Sequence, residues 1–294
     1  MAEITTRIKE AIRVPHMEVN RMNSARILQC LIGEKRSLSL YALGFSYYAE
    51  MYFGFEEAWQ ELEDIGSWAA EYPCSPSSPS YEERISRLSV LLNMGDLHRT
   101  ERLNADISRL HSSDPSVARL VINELHTMRI KDDIKTRIRE NPHKLLAYVW
   151  VLYSALFNGG RFIRRQIVKA GSEFWGLTTE DGDIESFPAP LSFWSVSNDP
   201  NFQEEFKVCV NKADKLLTAT ESNDVVDESV WIIRRCKQLT EELDERTKKY
   251  IGSGHREVDD RDATLHSTSV TFPMRSHGFH EPKSNGGHPN ACIT

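Results

Sequence analysis

No run of apolar residues in this chain is long enough to cross a bilayer. Of the two most apolar windows, 38–59 is interrupted by Glu50, Glu56 and Glu57, and 145–157 is too short, whereas a spanning helix needs about 20 apolar residues. No integral membrane segment is therefore expected. Cysteine is scarce too. Cys30, Cys74, Cys209, Cys236 and Cys292 are scattered with no Cys-x-x-Cys pair, which excludes a disulfide scaffold and points to a reducing, cytoplasmic setting. The opening decapeptide mixes acid and base and lacks the apolar core of a signal peptide. Positive charge is in deficit: 36 Lys and Arg stand against 43 Asp and Glu, for a net charge of −7. No global basic field draws the chain to nucleic acid or to anionic membranes. Also missing are a β-hairpin signal, a repeat of fixed period, a Gly-x-Ser-x-Gly elbow and a glycine-rich phosphate loop.

What remains is helical periodicity, and the class it predicts is all-α. Over 4–31, Ile8, Ile12, Val19, Met22 and Ile27 recur at helical spacing, and Pro15 implies one bent helix or two short ones. Ser37 can cap the next helix, which carries a broad apolar face from Leu38 to Ile65 and is expected to stop at Gly66. Residues 72–80, rich in proline and serine, read as a loop. Helices follow at 81–93, 97–112 and 116–139, the last with Val117, Leu120, Val121, Leu125, Met128 and Ile130 inward. Asn141-Pro142 breaks the pattern, and a long apolar helix runs from His143 to Lys169, closed by Ala170-Gly171. Residues 172–201 are mostly irregular, with exposed or half-buried aromatics. Two amphipathic helices follow at 202–220 and 225–250, the second opening on Asp224, Asp227 and Glu228 to suit its dipole. One domain is expected over 1–250. The tail 251–294 is expected to be disordered, and its five histidines, though irregularly spaced, leave a metal-binding tail as an alternative.

The long apolar helix has Gly159-Gly160 in its middle, each costing about 1 kcal/mol of helix stability relative to alanine. The pair implies a bend, a flat ligand lying where no Cβ fits, or a close helix–helix contact. His16 reads as a surface histidine or as a neutral imidazole ligand for iron or haem, with Lys9 and Arg13 one turn or so before it, able to pair with carboxylates of a cofactor. Glu140-x-x-His143 has the spacing of carboxylate-bridged di-iron bundles, but Pro142 places a helix boundary inside it. Arg161, Arg164, Arg165 and Lys169 form a basic cluster that suits an anion, an acidic partner or simply a helix C-terminus.

In order along the chain, five segments resemble the haem oxygenase family. Ile8-Lys-Glu-Ala-Ile-Arg-Val-Pro-His16 resembles its first helix, which ends on the proximal haem ligand. Leu97-His-Arg-Thr-Glu-Arg-Leu-Asn-Ala-Asp106 resembles its Leu-His-Arg-x-x-x-Leu-x-x-Asp helix, and Asn158-Gly-Gly-Arg161 sits where the family has Ser-Gly-Gly-Gln, the distal kink. Phe206-Lys207 and Gln238-Leu-Thr-Glu-Glu-Leu243 resemble the last two helices. The resemblance implies oxidative opening of haem to biliverdin, with release of iron and CO, using O₂ and electrons from an NADPH-dependent flavoprotein reductase. It makes His16 the axial ligand of the haem iron and Gly159-Gly160 the backbone wall on the porphyrin face. Lys9 and Lys207 would partner the propionates, with Asn211 replacing a further basic partner one turn on, and the reductase would approach near Arg161, Arg164 and Arg165. Where most animal and bacterial members carry Gly-Asp before the glycines, this chain has Ala155-Leu156, and Leu152-Tyr-Ser-Ala-Leu-Phe-Asn-Gly-Gly looks like the fungal branch. A leucine neither donates, accepts nor anchors water, which keeps open a non-catalytic haem-binding protein on the same fold. A thiaminase-like hydrolase would need an activated cysteine, for which Cys209 and Cys236 are the helical candidates.

Overall fold

The computed structural model describes residues 2–31, 37–70, 79–113, 121, 129–175, 191–196 and 201–251. The expected disordered tail, the 72–78 part of the loop, and Val117, Leu120, Leu125 and Met128 lie outside the described residues. The described part of the chain falls within the compact unit Met1–Gly254. No strand occurs among the described residues, and none of their helices is long and apolar enough to cross a membrane.

The helices are α1 (Ile4–Leu31), α2 (Leu38–Ala70), α3 (Tyr81–Leu92), α4 (Thr100–Ser113), α5 (Ile130–Glu140), α6 (Leu145–Ala155), α7 (Arg161–Lys169), α8 (Phe202–Asp214) and α9 (Ala219–Ile251). The core is built on α2 and α6. Every residue from Leu145 to Tyr153 is buried, so α6 is apolar all round because it has no solvent face to spend polar residues on. It packs against α9, α2 and α8, while α2 packs against α5, α3 and α4. The first helix, α1, lies along α9 and also touches α2, α7 and α8.

Helix ends follow local chemistry. Ser37 accepts the Leu40 N–H at 3.3 Å, as expected of a cap. Gly171 takes φ +84° and its N–H reaches Val168 O at 3.3 Å, the left-handed closure expected after α7. Of the two readings of Pro15, the single helix holds: Pro15 sits inside α1, its missing N–H opposite exposed Ala11, so water can serve the freed carbonyl. Two expectations need correction. Gly66 does not stop α2, which runs to Ala70; an interior glycine weakens a helix but ends it only when it adopts the left-handed conformation. The last helix starts at Ala219 rather than 225. Its start is a reciprocal capping box: Thr218 Oγ1 accepts the Glu221 N–H at 3.3 Å and Glu221 Oε2 accepts the Thr218 N–H at 2.7 Å.

Candidate functional site

The region from His143 to Lys169 is not one smooth helix. A 3₁₀ turn at Pro142–Lys144 leads into α6, and a π-helical turn, Leu156–Gly160, separates α6 from α7. Such turns insert a residue into the hydrogen-bond ladder and bend the helix. Gly160 has φ −59° and ψ −36°, ordinary helical values, so backbone conformation does not demand this glycine. Its surroundings are close: a Cβ at Gly160 would lie 3.1 Å from Leu156 Cδ1, the movable end of a side chain, and at an ordinary contact distance of 3.5 Å from Trp194 Cε3. At Gly159 a Cβ would meet nothing within 4 Å. The two glycines therefore do different work. Gly160 is a packing glycine, and Gly159 turns its bare backbone to open space. Leu156, 2% exposed, belongs to the core.

On α1, His16 is half-buried, and among the described residues no hydrogen bond or ion pair is made to its ring. Burial pushes its pKa down, because desolvation penalises the imidazolium, and the ring is held neutral with lone pair and N–H both uncommitted. Beside it in the sequence Val14 and Met17 are 66% and 59% exposed. Periodicity did not single them out, because it assigned the inward face to Ile12 and Val19.

Lys9, Lys207 and Asn211 are brought to one edge, where the N-terminal turns of α1 meet α6 and α8. The Lys9 ammonium lies 5.6 Å from the ring centre of Trp150, and Trp150 stacks on Phe206 at 5.6 Å. Lys207 pairs with Glu3 at 3.7 Å and Glu204 at 3.8 Å, and Asn211 Oδ1 accepts the Thr5 N–H at 3.3 Å. Each has a partner within the protein. On α7, Arg161, Arg165 and Lys169 are exposed and Arg164 is half-buried.

The remaining chemistry-bearing residues are committed to the fold. His143 donates Nε2–H to Asp224 at 3.3 Å and accepts from the Tyr81 hydroxyl at 3.2 Å. Glu140 ends α5 and His143 lies in the following 3₁₀ turn, so the Glu-x-x-His pair does not share a helical turn. No group of three or more potential metal-ligating side chains gathers among the described residues. Glu228, expected to serve the dipole of its helix, is instead a buried carboxylate gripped by Arg137 at 2.6 and 2.7 Å, Tyr148 at 2.7 Å and Lys144 at 3.1 Å. Burial pushes its pKa up, but these donors outweigh that and hold it below the usual carboxylate range. Burial raises the Cys236 thiol to about 12, and its S–H points to Met51 Sδ at 3.7 Å. A thiol so protonated is no nucleophile.

Glu56 is a buried cap: its carboxylate takes the N–H groups of Arg99 and Thr100, the Thr100 hydroxyl at 2.7 Å, and the Tyr153 hydroxyl at 2.8 Å. Asp106 takes the N–H groups of Ser192 at 3.1 Å and Phe193 at 2.8 Å. Leu191 and Phe193 are buried and Trp194 half-buried, so this irregular segment contributes to the core more than its composition suggested.

No protein-family model matches the chain, and no curated protein does. Among solved structures, the crystal structure of heme oxygenase-2 from Synechocystis in complex with heme and NO superposes with a TM-score of 0.54 at 15% identity, covering 85% of this chain and 89% of that one. The fold is thus haem-oxygenase-like. That neighbour is cyanobacterial, and the likeness gives no support to the fungal branch.

Proposed function

We propose that this chain binds haem between α1 and the α6–α7 wall, with His16 as the proximal iron ligand, and acts as a haem oxygenase-type monooxygenase. The observation that carries the reading is His16: a half-buried, neutral imidazole with no partner among the described residues. Its ring nitrogens are not buried without a partner but open to the surface, where an incoming metal-containing ligand would meet them near bare Val14 and Met17. The residues present fit the group, since Gly159 leaves open the space that any Cβ would fill. Contact between Lys9 and Trp150 pins α1 to α6. From there His16 is about 10 Å along α1 and Leu156 about 9 Å along α6 at the helical rise, and α1 also touches α7, which supports a common level for the imidazole and the π-turn.

Bound haem would supply the iron centre at which O₂ is activated and would itself be the molecule opened to biliverdin. His16 would orient it from below, and Gly159 would admit it from above. Lys9 would leave the Trp150 face, and Lys207 would leave Glu3 and Glu204, to meet propionates, with Asn211 remaining on Thr5. Exposed Arg161, Arg165 and Lys169 offer an acidic flavoprotein reductase a complementary surface. The described cysteines, Cys30, Cys209 and Cys236, are free thiols, in keeping with a cytoplasmic setting. A second reading, haem binding without turnover, is favoured by Leu156: its side chain is core, and Asn158, the nearest polar side chain in the turn, donates back to Ser154 O at 2.7 Å. Titrating haem into wild type and His16→Ala, then adding reductase and NADPH, separates the two. Wild type should show a ligated Soret band that His16→Ala loses, followed by bilin. No band in wild type would defeat both readings, and a stable band without bilin leaves the binding protein.

A further inference from the structure

Four observations converge on α4, whose chemistry the reading above leaves unused. Its Arg102 and Asp106, at i and i+4, share one face, and Arg99 stands immediately before its first residue. That face grips Leu191–Val196 along its length: Asp106 accepts from Ser192 N, Ser192 Oγ at 2.5 Å and Phe193 N, while Arg102 and Arg99 donate to Ser195 O at 2.7 and 2.9 Å. The segment carries Trp194, whose indole N–H donates to the buried Tyr41 hydroxyl at 3.1 Å and whose Cε3 lies 3.5 Å from where a Cβ of Gly160 would sit. At the N-terminus of the same helix, Glu56 caps Arg99 and Thr100 and holds Tyr153, three residues before the π-turn.

We infer that α4 is a clamp that positions the π-turn: Asp106, Arg102 and Arg99 fix Leu191–Val196 so that Trp194 braces Gly160 from behind, and this brace sets where Gly159 stands. A π-turn is a single-turn bulge inside an α-helical run, and a ring packed behind it fixes where the bulged backbone stands. Phe193 anchors the same segment against Tyr52 at 5.1 Å and Phe45 at 5.5 Å, so Trp194 is delivered by a segment fixed at both its backbone and its neighbouring side chain. Trp194, Asp106 and Arg102 are positioning residues. The inference deepens the proposed site but has a consequence in the ligand-free protein.

The test is amide hydrogen exchange on the haem-free full chain for wild type, Trp194→Ala, Trp194→Phe and Asp106→Asn. Exchange of the 156–160 amides should rise at least tenfold in Trp194→Ala and Asp106→Asn, with the amides of α5 unchanged, and Trp194→Phe should return most of the protection. Unchanged exchange at 156–160, or an equal rise in α5, would overturn the clamp, the latter because it reports general destabilisation. A haem titration of the same variants reads the consequence for the site, with weaker uptake in Trp194→Ala restored in Trp194→Phe. Wild type failing to take up haem would overturn the proposed function, and the exchange result would still decide the clamp.

Discussion

His143 is buried and His16 half-buried, and the two rings differ in what they meet. His143 has a carboxylate on one nitrogen and a phenol on the other, and one helical turn away in space Glu228 is held by Arg137, Tyr148 and Lys144. His16 has no such partner among the described residues, and its neighbours Val14 and Met17 lie bare. A region whose polar groups satisfy one another is finished as structure, since unpaired buried groups cost free energy. A region that leaves an imidazole open to the surface near exposed apolar side chains has room for something else to bind. The comparison can be broken by disturbing each region and asking whether the damage appears in stability or in ligand uptake.

The largest effect belongs to the finished region. Arg137→Ala leaves the Glu228 carboxylate, 1% exposed, facing only Lys144 and Tyr148. It should lower the free energy of unfolding by about 3 kcal/mol, the low end for breaking a buried pair because those two donors remain. Because its partners depress the Glu228 pKa, the contribution is present above the ordinary carboxylate pKa and is lost as pH falls through the lower folded value. Urea unfolding at neutral pH and at pH 4 measures both, and haem titration of the folded variant should match wild type. An altered Soret band in Arg137→Ala would show that the two regions are not independent.

Next come two glycines that invite the same substitution. Gly54 lies where α2 and α5 press together, and a Cβ there would fall 2.9 Å from Lys131 O and 3.2 Å from Ile134 Cβ. Gly54→Ala should destabilise by about 1–3 kcal/mol through overpacking. At Gly159 the added methyl enters open space, so Gly159→Ala should leave stability unchanged or raise it by up to about 1 kcal/mol while weakening haem uptake. Equal destabilisation by both substitutions would mean that Gly159 is packing too, and the distal-wall assignment would fall with it.

These glycines also show where the sequence stops being readable. Local signals carried the helix class, the Ser37 cap, the Gly171 closure and the bend at Gly159-Gly160, because each depends on residues within one or two turns. What separates Gly160 from Gly159 is first Leu156 one turn back, 3.1 Å from a Cβ at Gly160, and then Trp194 in ordinary contact at 3.5 Å, more than thirty residues away on a segment fixed by Asp106 of α4; no periodicity encodes the second approach. Glu228 was misassigned for the same reason: its partners Arg137, Lys144 and Tyr148 are remote in sequence, so an acidic residue expected to serve its own helix end proved to be a core ion pair. The Thr218–Glu221 box, by contrast, was present in the sequence as Thr-x-x-Glu and would have moved the start of α9 to its true place.

The smallest effect is a shift in pH dependence. Burial lowers the His16 pKa from its ordinary value of about 6.5, so the imidazole stays in its ligating form to a lower pH than a surface histidine would. Protons compete with metal only where the ring is protonated. Haem affinity should therefore hold to a lower pH than it would with a surface histidine as ligand. The haem-free protein carries the opposite side of the same linkage. With the folded pKa below the unfolded one, the unfolded chain binds more protons as pH falls through the unfolded value, so His16 subtracts stability on the acid side. His16→Ala should remove that share of the acid-side loss. If haem affinity already falls through the ordinary histidine pKa of about 6.5, or if His16→Ala leaves the acid-side slope of stability unchanged, then the ring is not held neutral by burial, and the contrast with His143 loses its basis.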